Sequence, residues 1–159
     1  MKSLYFITII ITALTDQISK FYINSLLKGD EFIEVSSFIK LVEVWNPGIS
    51  FGLFSNLSYS YLLFSISSVL IICILVCLLY KSNDKITRIG FSFMIGGAIG
   101  NLFDRVYWKA VYDFIYFHIQ GWYWPSFNLA DVYIVCGMLL LLYKWYISDI
   151  FLANMKKDK

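Results

Sequence analysis

Residues 57–80 contain no charged side chain. As a helix rising about 1.5 Å per residue, a stretch of this length crosses the ~30 Å hydrocarbon core of a bilayer. The whole chain is 59% hydrophobic and only 15% charged, whereas soluble domains are about 25% charged. The sequence therefore predicts an integral membrane protein, and its net charge of +2 gives no indication of a nucleic-acid partner.

Three further apolar segments, at 3–27, 86–103 and 127–147, are candidate membrane spans. The first contains Asp16 and Lys20 where the apolar region of a cleaved signal peptide would continue, and it lacks a small-x-small cleavage site. We therefore predict a retained helix there. The chain divides into no smaller units, so 1–159 is expected to form a single membrane domain.

Basic residues flank the predicted spans on one side of the membrane. By the positive-inside rule, both termini and the loop between spans two and three are cytoplasmic, which requires an even number of spans. The residues that carry this argument are Lys2, Lys81, Lys85, Arg88, Lys156, Lys157 and Lys159. Segments 28–56 and 104–126 are then predicted to lie on the other face.

These two outer segments differ in character. Within 28–56, the stretches EFIEV and FIKLVEVW show partial alternation with β-branched residues, which predicts a small sheet on the membrane surface. Residues 106–126 are rich in tyrosine, tryptophan and phenylalanine. Because such rings favour the headgroup level, we expect this loop to lie in the interface as an amphipathic segment.

Four aspartates, Asp16, Asp104, Asp113 and Asp131, are predicted to lie towards the same non-cytoplasmic face. An aspartate within a span costs ~2.5–3.5 kcal/mol, so each is a candidate functional residue. Two carboxylates that meet in a low-dielectric site share one proton. Such a pair can activate water and polarise a carbonyl, which is the chemistry of aspartic peptidases.

Five short segments resemble the motifs of the lipoprotein signal peptidase (signal peptidase II) family. They occur in the family's order along nearly the whole chain: DQISK at 16–20, NPGISFG at 46–52, GAIGNLFDR at 97–105, VYDF at 111–114 and FNLAD at 127–131. The chain departs from the usual motifs at Ile49, Tyr112 and Val132, which puts substrate specificity rather than activity in question.

The resemblance implies an all-α polytopic membrane protein with four transmembrane helices, a small periplasmic β-cradle and an interfacial amphipathic helix. It implies that Asp113 and Asp131 form the catalytic pair of an aspartic endopeptidase, with no metal or organic cofactor. A structural role falls to Asp16 and Lys20. The residues expected to shape the site or bind substrate are Asn46, Gly97, Asn101, Asp104, Arg105 and Asn128. From the residues alone, Arg105 is either a natural partner for its neighbour Asp104 or an anchor for the helix end.

The implied substrates are prolipoproteins that carry diacylglyceryl on the cysteine that follows the cleaved bond. The resemblance also implies a bacterial inner-membrane location, contact with membrane lipids and inhibition by the cyclic peptide globomycin. We expect a monomer.

Three other functions fit parts of the sequence. Intramembrane aspartates can form a proton or cation relay, although here they gather at one face and no internal repeat of the transporter kind is found. A non-enzymatic assembly subunit could use the same residues as interhelical contacts. A Ser19–Lys20 peptidase is disfavoured because consecutive helical residues point about 100° apart.

Overall fold

Four long apolar helices make up most of the structure, a computed structural model that describes residues 2–28, 32–48 and 60–157. They are α1 (Lys2–Leu26), α2 (Ser60–Lys81), α3 (Lys85–Trp108) and α4 (Leu129–Lys157). Each contains a segment long and apolar enough to cross a membrane. The predicted four-helix membrane fold is confirmed.

The ends of α3 and α4 differ from the predicted spans. Helix α3 continues to Trp108, past the predicted end at residue 103, because Asp104 is buried against α1 instead of facing water. Helix α4 begins at Leu129, since Phe127 pairs with Ile115 as an isolated β-bridge before the helix starts. The predicted start of span two, at 57–59, lies outside the described residues.

The packing of α1 is the reverse of that in a water-soluble protein. Thr12, Asp16 and Lys20, spaced four residues apart, lie on one face and are almost completely buried. Ile18 and Phe21, on other faces, are 64% and 79% exposed. Polar groups inside and apolar groups outside are stable when the surrounding solvent is lipid, so these exposures agree with the membrane assignment.

Helix α3 lies at the centre of the bundle and packs against the other three helices. Glycines on two of its faces allow this close approach. A Cβ atom on Gly96 or Gly100 would collide with Thr12 or Asp16 of α1, and one on Gly97 would collide with the carbonyl oxygen of Ala130 in α4. Small residues at helix contacts are typical of membrane bundles, because they allow the backbones to meet.

A four-stranded antiparallel sheet lies at the end of the bundle where α1 and α3 end and α4 begins. Its strands, in spatial order, are β1 (Phe32–Ser36), β2 (Ile39–Asn46), β3 (Val111–Ile119) and β4 (Trp122–Tyr123). The first two strands occupy the stretches in which alternation predicted a sheet. A register shift in β2 precedes the pairing of Val44 with Asp113 and of Asn46 with Val111.

Residues 106–126, predicted as an amphipathic segment of the interface without assigned strands, are largely β-structure. Most of this segment forms the hairpin of β3 and β4, and its first residues belong to α3. Aromatic and β-branched residues, which fill β3, favour strands, and Gln120 and Gly121 both have positive φ angles, as a two-residue hairpin turn requires. Within 2–28, 32–48 and 60–157 there is no helix beyond the four spans, so the additional amphipathic helix is not among these residues.

Gly97→Ala is expected to destabilise the protein, because the new methyl group would press on the backbone of α4 where that helix begins. Overpacking of this kind costs ~1–3 kcal/mol. The measurement is the thermal unfolding midpoint of detergent-purified protein. Val69→Ile, which adds one carbon on an exposed face of α2, is the matched control and should leave the midpoint unchanged. An equal midpoint for Gly97→Ala would contradict the close α3–α4 contact.

Candidate active site

A cavity of about 360 Å³ opens where the sheet meets the ends of α3 and α4. Asp113 from β3 and Asp131 from α4 both line it, so the predicted convergence of these two carboxylates is present in the structure. The remaining lining residues are Asn46, Gly48, Asn101, Arg105, Val111, Trp124, Pro125, Ser126 and Phe127.

Asp113 lies on a strand in the middle of the sheet and is only 3% exposed. Its Oδ2 accepts a hydrogen bond from Asn46 Nδ2 at 3.1 Å, and its Oδ1 accepts one from Asn128 Nδ2 at 2.7 Å. Burial raises the pKa of Asp113 to about 6; the amide donors lower it and the nearby Asp131 raises it. Near neutral pH this carboxyl group can therefore exchange a proton.

Asp131 lies in the first turn of α4, where the helix dipole stabilises negative charge. Its Oδ1 accepts from Asn101 Nδ2 at 2.9 Å, and its Oδ2 accepts from the backbone N–H of Asn128 at 3.2 Å. The backbone N–H of Asp131 in turn donates to Asn128 Oδ1 at 3.1 Å. This reciprocal pair is a capping box, and it fixes the Asp131 side chain at the start of the helix.

Asn128 connects the two carboxylates and is completely buried. Its side-chain amide donates to Asp113 and also to Asn101 Oδ1, at 3.0 Å, while its backbone donates to Asp131. One asparagine therefore sets the position of one acid relative to the other. The motif FNLAD places it three residues before Asp131, which is the spacing that the capping box needs.

Arg105 lies beside the cavity rather than against its neighbour Asp104. Consecutive helical residues point about 100° apart, and Asp104 bonds to Lys20 instead, at 2.7 Å. The Arg105 guanidinium donates to the backbone oxygen of Asn101 at 3.3 Å, and its buried Nε has no hydrogen-bond partner within 2–28, 32–48 and 60–157. Of the two predicted roles, the Asp104–Arg105 pair is therefore wrong, whereas the position of Arg105 in the last turn of α3, as a cation beside the two acids, agrees with the helix-end role.

The four aspartates separate into two pairs. Asp113 and Asp131 line the cavity, whereas Asp16 and Asp104 are buried with Lys20 between them, at 2.8 and 2.7 Å from its Nζ. The prediction that Asp16 and Lys20 tie the first span to its neighbours agrees with these contacts. Gly97 lies at the α3–α4 contact and not in the cavity.

Sequence reasoning missed several residues that complete the site. Gln17 donates to Asp104 Oδ1 at 2.9 Å and to the backbone oxygen of Gly100 at 3.1 Å; its place within the DQISK motif was the available signal. The loop 124–127 lines the cavity but was interpreted only as aromatic surface. In the described part of the chain, no cluster of three or more His, Cys, Asp or Glu residues suits a metal ion.

Two of the three departures from the family motifs can be located. Tyr112 points to the opposite face of β3 from Asp113, as alternation along a strand requires, and its ring packs on Trp45 with centroids 4.9 Å apart. Val132 is half-buried on α4 and does not line the cavity. Ile49 lies outside the described residues.

Comparisons of sequence and of structure both find known proteins that are similar to this chain. The family model described as signal peptidase (SPase) II matches residues 8–147. The chain belongs to the signal peptidase II family. A lipoprotein signal peptidase of Anaplasma phagocytophilum is 45% identical over 127 residues, covering 80% of this chain and 81% of the relative. One from Rickettsia typhi is 39% identical over 166 residues, covering 99% and 85%.

A solved structure has the same fold. It is a bacterial membrane enzyme determined by the in meso method at 2.3 Å resolution, with a TM-score of 0.81 and 27% sequence identity. The match covers 92% of this chain and 90% of that enzyme. The overall fold is therefore shared with a bacterial membrane enzyme, and signal peptidase II is a family of proteases.

Asn46→Ala is expected to raise the pKa of Asp113 above about 6, because the Asn46 amide stabilises the ionised carboxylate. The carboxyl group would then keep its proton to higher pH. Infrared titration, with Asp113→Asn spectra subtracted to isolate this group, measures the shift. Asn24→Ala on α1, which lines a different cavity, is the matched control. A fall in the pKa would contradict the donor role of Asn46.

Proposed function

We propose that the protein is an aspartic endopeptidase that removes signal peptides from diacylglyceryl-modified prolipoproteins, cutting before the lipidated cysteine. The observation that carries this proposal is the meeting of Asp113 and Asp131 in one cavity, held together by Asn128. Membership of the signal peptidase II family and the names of its relatives support the lipoprotein substrate.

The surroundings of the two acids favour different protonation states. Asp113 is deeply buried on a central strand, not at a helix N-terminus, so it holds the shared proton. Asp131 lies at the start of a helix, where the helix dipole stabilises negative charge. Asp131 is therefore the base that activates water, and Asp113 is the acid that donates a hydrogen bond to the scissile carbonyl.

Hydrolysis then follows without a covalent enzyme intermediate. Water adds to the carbonyl carbon as its proton passes to Asp131, and the carbonyl oxygen accepts the proton of Asp113. As the tetrahedral intermediate collapses, the C–N bond breaks, Asp131 gives its proton to the leaving amine, and the proton on the former carbonyl oxygen returns to Asp113. Each carboxyl group ends in its starting state, as a catalyst requires.

The rest of the cavity supplies binding groups for an extended peptide. The free Nε donor of Arg105 points to an acceptor that the protein itself does not provide in its described part. Asn46 is held by a bond from the N–H of Gly48 to its Oδ1, at 3.1 Å, so that its amide nitrogen faces Asp113. We assign Arg105 and Asn46 to substrate positioning. Asn101 and Asn128 hold in place Asp113 and Asp131, the proposed catalytic dyad.

The lipid part of the substrate would lie against the exposed apolar helix faces, where burial contributes ~0.8 kcal/mol per methylene. We place the protein in the bacterial inner membrane as a monomer, with both termini cytoplasmic and the cavity at the periplasmic face. The basic residues Lys81, Lys85 and Arg88 around the α2–α3 turn support this orientation, since that turn is at the opposite end of the bundle from the sheet.

Asp113→Asn and Asp131→Asn are each expected to lower cleavage at least ~100-fold, because each removes a proton-transfer group. The assay uses purified protein, a diacylglyceryl-modified prolipoprotein, and globomycin as the inhibitor control. Asp84→Asn is the matched variant: Asp84 caps α3 at the other end of the bundle, and asparagine caps helices equally well, so turnover should persist. Turnover retained by either dyad variant would remove that residue from the catalytic pair.

A further inference from the structure

The buried ammonium group of Lys20 contacts three side chains, each of which is hydrogen-bonded to Asp131 or to the backbone beside Asp113 or Asp131. Lys20 Nζ lies 2.8 Å from Asp16 Oδ2, 2.7 Å from Asp104 Oδ2 and 3.0 Å from Asn101 Oδ1. The Lys20 side chain is 5% exposed. All three hydrogens of the ammonium therefore have an acceptor, and its contacts reach α3 as well as its own helix. We call Lys20, Asp16, Asp104 and Asn101 the Lys20 cluster.

Two members of the Lys20 cluster hold the backbone directly beside the catalytic pair. Asp16 Oδ1 accepts the N–H of Ala130 at 2.9 Å, one residue before Asp131. Asp104 Oδ2 accepts the N–H of Tyr112 at 3.3 Å, one residue before Asp113. The same lysine thus pairs with two carboxylates, each of which accepts the backbone N–H of the residue that precedes one of the two acids.

The third member of the cluster contacts the dyad itself. Asn101 Oδ1 accepts from both Lys20 and Asn128, which forces the Asn101 amide nitrogen to face Asp131 Oδ1, at 2.9 Å. The bond from Lys20 also polarises this amide and strengthens its donation to Asp131. The side chain of Asn101 therefore links the Lys20 ammonium to the Asp131 carboxylate by two hydrogen bonds.

Stability alone does not account for this arrangement. A buried ion pair often contributes little to net stability, because removing the charges from water costs several kcal/mol per ion. Apolar residues of similar volume would join α1 to α3 without that cost. Apolar residues would not hold three acceptors around one donor. Each of these three acceptor side chains also forms a hydrogen bond to Asp131 or to the backbone of the residue before Asp113 or Asp131.

We propose that Lys20 is a positioning residue for catalysis: through Asp16, Asp104 and Asn101 it fixes the two acids relative to each other. The proposal rests on the proposed function, since it concerns the geometry of the same dyad. It assigns Lys20 an effect on the rate of the chemical step that exceeds any effect on folding or on substrate binding. A displacement of about 1 Å in a catalytic group can lower a rate ~100-fold.

The test is Lys20→Arg, which keeps the positive charge but replaces the compact ammonium with a planar fork that cannot occupy the centre of three acceptors. We expect folded protein with a KM within about twofold of wild type and a kcat about 100-fold lower. Lys144→Arg is the matched control, because Lys144 pairs with Asp84 at 3.0 Å at the other end of the bundle. Its kcat should be unchanged.

A second variant tests the same proposal if Lys20→Arg does not fold. Lys20→Gln combined with Asp104→Asn removes one charge of each sign and keeps hydrogen-bonding groups at both positions. It should also give folded protein with low kcat. Wild-type kcat in folded Lys20→Arg would overturn the proposal. Loss of folded protein in both variants would do the same, since it would limit Lys20 to folding.

Parallel measurement of Asp113→Asn and Asp131→Asn separates the two proposals. If these variants retain turnover, the aspartic mechanism itself fails. If they lose turnover while folded Lys20→Arg retains it, only the positioning role of Lys20 fails.

Discussion

The buried charges of Lys20, Asp16 and Asp104 are the interaction on which the rest of the structure depends. In a lipid-facing bundle an unpaired charge is very costly, so these groups must meet, and they lie on α1 and α3. Their meeting requires the close helix contact that Gly100 permits. The Asp16 carboxylate then also binds the start of α4, which brings a third helix to the same point.

The proposed catalytic pair lies beside these charges, and its two acids come from two unlike structural elements. A strand supplies Asp113 and a helix N-terminus supplies Asp131, so the two carboxyl groups have different electrostatic surroundings although both are held by asparagine amides. In the proposed mechanism, that difference lets one acid keep a proton while the other acts as the base. The cavity lies at the end of the bundle, and the proposed orientation gives it access to the water that peptide hydrolysis consumes.

Much of this could be predicted from the sequence, for identifiable reasons. The charge-free stretch at 57–80 and the alternation at 32–46 are local patterns, and they predicted a span and two strands correctly. Strand β3 was missed because dense aromatic residues are common to membrane interfaces and to strands. The Asp104–Lys20 pair joins residues far apart in sequence, and no local pattern distinguishes it from the neighbouring Asp104–Arg105 pair that was expected. The site residues were identified by their family motifs, whereas their contacts required the fold.

The central claim is that two carboxyl groups activate water directly, without a covalent intermediate on the protein. Rapid-quench mass spectrometry of a single turnover, run in heavy-oxygen water with hydroxylamine present, tests it most directly. The account predicts one heavy oxygen in the new carboxyl end of the signal peptide, no hydroxamate, and an unmodified mass for the protein. A hydroxamate product, or protein carrying the mass of the signal peptide, would contradict it.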